Sequence, residues 1–160
     1  MARWLDDSVV LRVLINVLCL AGLANALYFT FAYYGRIKKA RWVPEILCAQ
    51  EGSTCVRVVQ TPYARLFGVP NSLLGIVYYM LVMAWTMQSR TAAIKLRFHP
   101  FAHVISVGMA LLILVSMGTM VFGSYLIYAL RRKLHVDCLL CYTAHAINTA
   151  VFVLLVILAF

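Results

Sequence analysis

The sequence predicts an all-α integral membrane protein, a four-transmembrane-helix bundle with a long cysteine-containing loop between helices 1 and 2. Three observations predict it. Of the 160 residues, 64% are hydrophobic and 12% charged, against about 45–50% apolar and about 25% charged in soluble domains. Four stretches, 13–34, 69–89, 101–130 and 138–160, contain no Asp, Glu, Lys or Arg, and each reaches the ~20 residues that a helix needs to cross a bilayer. All 14 Lys and Arg residues fall outside those stretches. An ordinary water-soluble globule, a disordered segment and a nucleic-acid module are excluded. The net charge of +9 reads as membrane-flanking charge facing anionic lipid rather than as a nucleic-acid footprint.

In lipid the backbone must satisfy its own hydrogen bonds, so these runs are helices. Their expected bounds are 9–34, 70–89, 101–130 and 138–160, within a single membrane domain spanning 1–160. Around the first, Arg3, an apolar stretch and Ala24-Asn25-Ala26 mimic a signal peptide. Asp6 and Asp7 stand where such a peptide is basic, and the apolar run continues to Tyr34, so a retained helix is the better reading. The loop 35–69 carries six basic and two acidic residues, Pro44, Pro62, Gly52 and two cysteines. Pro70, favoured in a first helical turn, opens the second helix, and Gly75 allows close helix packing. The basic loop 90–100 and the turn 131–137 are short, which predicts antiparallel neighbours. Asp137 reads as the N-cap of the last helix. Tyr78, Tyr79, Trp85 and Trp42 read as interfacial aromatic residues, and Cys19 as a small buried apolar side chain.

Topology draws two opposed arguments. Arg3, Arg12, Arg90, Lys95 and Arg97 share one side with the termini, whereas nine Lys and Arg residues share the side of the loop and the 131–137 turn. Positive-inside counting therefore favours a cytoplasmic cysteine face. Cysteine pairs in a loop favour an oxidising compartment.

The cysteines carry the chemistry. Cys48 and Cys55 lie in the long loop, and Cys138-Leu139-Leu140-Cys141 opens the last helix at the same membrane face. At 100° per residue Cys138, Cys141, His145 and Asn148 fall within an arc of about 80°. Polar groups on one face of a membrane helix mark function, because they are costly there. A helix N-terminus also favours thiolate at Cys138. Three uses stay open on the residues alone: a four-thiolate zinc site, static disulfides, and a relay between the pairs. The Cys48/Cys55 spacing is wider than a zinc knuckle. A CxxC bridge on a helix is of the strained, reducible kind. A relay ending in the bilayer needs a lipid-soluble acceptor such as a quinone.

The loop pair, the run Phe67-Gly68-Val69-Pro70-Asn71-Ser72-Leu73-Leu74-Gly75, and Cys138-Leu139-Leu140-Cys141-Tyr142-Thr143-Ala144-His145-Ala146-Ile147-Asn148 together resemble the vitamin K epoxide reductase family, over about residues 10–160. The resemblance implies a membrane oxidoreductase with four helices around a quinone pocket. It implies that Cys48 exchanges with a thioredoxin-like partner and that Cys55 passes electrons to Cys138. It further implies that Cys141 reduces the quinone, that Asn71 bonds a quinone carbonyl and that Phe67 lines the pocket. His145 stands where vertebrate members have a tyrosine, and it suits a hydrogen bond or a proton transfer. The loop pair is one residue closer than in vertebrate members. With no fused thioredoxin-like domain in these residues, the partner is expected to be a separate chain. The expected activity is disulfide formation coupled to reduction of menaquinone, ubiquinone or a related quinone, with no metal and no nucleic acid. The competing expectation is a non-catalytic scaffold or small transporter whose cysteines are structural or bind zinc.

Overall fold

The computed structural model describes residues 2–36, 58–66, 68–87, 95–97 and 104–159. Four apolar helices dominate: α1 (Ala2–Tyr33), α2 (Asn71–Met87), α3 (Val107–Ala129) and α4 (Leu139–Ala159). Three stretches are long and apolar enough to cross a membrane, Val9–Tyr33, Val107–Leu134 and Leu139–Ala159. The protein is thus a multi-pass membrane protein. Helix α2 has 17 residues, about 25 Å of rise, at the lower limit for a span.

Two short antiparallel hairpins start two of the helices. Strands β1 (Arg65–Leu66) and β2 (Val69–Pro70) pair Arg65 with Pro70 and Leu66 with Val69. Gly68 takes the turn at φ +81°, where a side chain would be strained. The Arg65 guanidinium lies over the Tyr33 ring at 5.5 Å, tying this hairpin to the end of α1. Strands β3 (Lys95–Arg97) and β4 (Val104–Ser106) pair next to α3. The third helix therefore begins at Val107 and not at 101: an apolar sequence alone does not separate the strand at 104–106 from the helix it leads into.

Helix α1 packs along both α2 and α4, and α3 packs along α4. Small residues set the contacts. A Cβ at Gly75 would sit 3.5 Å from the Ala26 Cβ, so α1 and α2 pass close together there. A Cβ at Gly22 would land on the Tyr79 ring, and one at Gly108 on the Trp85 ring. Across the α2–α3 seam the Tyr78 hydroxyl donates to Ser116 Oγ at 3.0 Å. Tyr78 and Tyr79 are thus core residues and not an interfacial belt. They meet Ile15, Cys19, Val82, Val151 and Leu155 in one buried cluster.

Away from the cysteines, α1 and α2 are knotted by polar side chains. Arg12 Nη1 donates to the Thr86 carbonyl at 3.1 Å. Asn16 Nδ2 donates to the Arg12 carbonyl at 2.7 Å and to Thr86 Oγ1 at 3.1 Å. The Arg12 guanidinium thereby serves a carbonyl in the last turn of α2, where the helix has no partner of its own to offer.

Candidate functional site at the cysteine end

The site begins where α3 stops. Its last turn widens into a π turn, Leu130–Leu134, and His135 follows in the left-handed region at φ 50°. Val136 N–H then bonds the Leu130 carbonyl at 3.1 Å, which closes the turn. Cys138 comes next. Its carbonyl accepts from Cys141 N–H and Tyr142 N–H, both at 3.1 Å, so Cys138 itself occupies the N-cap position of α4. Asp137 is not the cap. Its carboxylate accepts from the Tyr142 hydroxyl at 2.8 Å, and Arg131 Nε donates to the same hydroxyl at 3.2 Å. This exposed chain fastens the turn to the first residues of α4.

The two CxxC sulfurs lie 2.7 Å apart. Their surroundings differ. Cys138 is buried in a cluster with Phe29, Val58, Val59 and Leu130. Cys141 is half-buried and opens on a cavity of about 510 Å³. From α1, Asn25 Nδ2 donates to the carbonyl of Leu140, between the two cysteines, at 3.0 Å.

The cavity is bounded by all four helices and by residues of the 58–66 segment, with a mostly apolar wall. Its polar members include Asn25, Thr61, Asn71, Ser72, Thr119, His145 and Asn148, with the Tyr79 hydroxyl bonded to Asn148. Asn71 lines the cavity, and its side chain makes no hydrogen bond among the described residues. The His145 ring packs against Gly123, where a Cβ would collide with its Nδ1 edge. Three buried atoms of wall residues, Asn25 Oδ1, Ser72 Oγ and His145 Nδ1, have no partner among the described residues. Buried polar atoms are normally paired, so these three are exceptions among the described residues.

The structure thus brings Asn71, Cys141, His145 and Asn148 to one cavity, with Cys138 behind it. Cys48, Cys55 and Phe67 lie outside the described residues. Tyr125 and Tyr128 face outward, away from the cavity wall. Asn25 was readable in the sequence as a polar residue inside an apolar span, but its meeting with Leu140, 115 residues on, was not. Among the described residues no group of three or more His, Cys, Asp or Glu gathers as a metal set would.

The family model described as the vitamin K epoxide reductase family matches residues 13–156. The chain belongs to the vitamin K epoxide reductase family. No curated protein matches it in a sequence comparison. Members of the vitamin K epoxide reductase family are oxidoreductases that act with quinones. The mostly apolar cavity, with a few polar side chains on its wall, suits a flat, lipophilic molecule bearing ring oxygens.

Proposed function

We propose that the protein is a membrane thiol oxidase that forms disulfides in a separate thioredoxin-like chain and delivers the electrons to a membrane quinone. The observation that carries this reading is the asymmetry of the CxxC pair. Cys138 shares a buried cluster with Val58 and Val59, three and four residues along the chain from Cys55, while Cys141 opens on the cavity.

The steps balance as two-electron exchanges. Two thiols of the partner reduce the Cys48–Cys55 disulfide and leave the partner as a disulfide. The Cys55 thiolate then attacks Cys138 in the Cys138–Cys141 disulfide and releases the Cys141 thiolate. Attack by Cys48 on the mixed Cys55–Cys138 disulfide restores the outer bridge and leaves both inner thiols reduced. Reoxidation of Cys138 and Cys141 yields two electrons and two protons, and a quinone is the membrane-soluble acceptor class that takes both. Asn71 and His145 would hold its ring oxygens. Among the described residues of the wall His145 is the one imidazole, a group that can pass a proton. In this reading residues 1–160 form one domain, and α2 is the fourth span. The nine-to-five Lys and Arg asymmetry supports a cytoplasmic cysteine face.

The test is quinol formation by the purified protein with a dithiol reductant. The wild type is expected to turn over, and Cys138→Ala and Cys141→Ala to lose all dithiol-dependent quinol. Cys48→Ala should block oxidation of a protein thiol substrate while a small dithiol still reaches the inner pair. Full turnover in Cys141→Ala would overturn the proposal.

A further inference from the structure

One buried hydrogen bond beside the cavity has no part in the steps above. The Tyr79 hydroxyl donates to Asn148 Oδ1 at 2.6 Å. That length is normal for O–H···O and shorter than N–H···O bonds usually are, so the phenol meets the carbonyl end of the amide. The NH₂ end is left over. It bonds no protein group among the described residues, and it is not among the sealed polar atoms of the wall. Asn148 stands two helical turns beyond Cys141, on the same face of α4, and both line the cavity.

The phenol is held from several sides. Tyr79 is buried, Gly22 leaves its ring the space that a Cβ would take, and the Tyr78 ring lies 5.2 Å away, itself pinned to Ser116. A bond from so fixed a donor determines which way the amide faces. An amide NH₂ donates and does not accept, whereas the ring oxygens of a quinone accept and do not donate.

We infer that Asn148 donates a hydrogen bond to a carbonyl of the bound quinone, and that Tyr79 is a positioning residue that keeps the NH₂ of Asn148 turned to the cavity. This inference rests on the quinone reading above. It adds a ligand-binding residue on α4, two turns deeper than the cysteine that reacts.

The experiment is equilibrium binding of 2-methyl-1,4-naphthoquinone to oxidised protein, for the wild type, Tyr79→Phe, Asn148→Leu, the double variant and Asn148→Asp. Each single variant should weaken binding by about three- to tenfold, the worth of one hydrogen bond. The double variant should bind no more weakly than Asn148→Leu alone, because Tyr79 acts through Asn148. Asn148→Asp keeps an acceptor for Tyr79 but, when ionised, has nothing to donate. It should bind as poorly as Asn148→Leu, and it carries the test by itself if Tyr79→Phe does not fold. Independent, additive losses in the double variant would overturn the inference, as would wild-type affinity in Asn148→Asp. If the wild type binds quinone and every variant matches it, the inference alone fails. If the wild type binds none, the functional reading fails with it.

Discussion

At the end of the bundle away from the CxxC pair, Arg12, Asn16 and Thr86 bond one another across α1 and α2, beside a tight apolar cluster of Ile15, Cys19, Val82, Val151 and Leu155. At the cysteine end the same helices enclose a cavity, and Asn25, Ser72 and His145 each keep a buried polar atom without a partner among the described residues. A buried polar atom left unpaired costs about 1–3 kcal/mol. All three belong to residues of the cavity wall. The comparison separates two tasks. One end packs helix against helix, and the other encloses a cavity.

Gly22 sits where the two ends meet, and its replacement is expected to have the largest effect on the fold. The methyl of Gly22→Ala would fall on the Tyr79 ring. Either the phenol moves or the helices part, at a cost of about 1–3 kcal/mol. Thermal unfolding in detergent should show a lower midpoint, and quinone binding should weaken with it because the Tyr79–Asn148 bond is disturbed. An unchanged midpoint would mean that α1 and α2 do not approach as closely as described.

Thr86→Val is the smaller perturbation and bears on the packed end alone. It removes the hydroxyl that Asn16 Nδ2 bonds and keeps the carbonyl that Arg12 bonds. Interhelical hydrogen bonds of this kind in membranes are worth about 0.6–1.7 kcal/mol. The expected result is a modest loss of stability with quinone turnover unchanged. A large fall in turnover without a fall in stability would mean that the far end reaches the chemistry.

Much of this was legible in the sequence. The four helices follow from the charge-free runs, and the CxxC with His145 and Asn148 on one arc of α4 follows from helical periodicity. Gly75 was readable as a close-contact glycine because small residues are how membrane helices approach. Other features depend on which residues meet across helices, and no local pattern encodes that. Tyr78 and Tyr79 look like interfacial aromatics until Ser116 and Asn148 supply buried partners, 38 and 69 residues away. Arg12 looks like a flanking charge, yet it serves a carbonyl 74 residues on. Asp137 has the residue type of a cap, but the helix begins one residue later and Tyr142 claims the carboxylate. The cavity is the extreme case, since an empty volume is a property of four helices together.

The most direct test of the division between the ends is a pair of substitutions read by the same two measurements. Ala144→Leu adds bulk to the cavity wall between Cys141 and His145, and Thr86→Val loosens the far end. Quinone affinity and thermal midpoint are measured for both. Ala144→Leu should keep its midpoint and lose binding about tenfold or more, equivalent to about 1.4 kcal/mol, while Thr86→Val should lose stability and keep its affinity. Wild-type affinity in a folded Ala144→Leu protein would contradict the account, because the cavity at the cysteine end would then not be where the quinone binds.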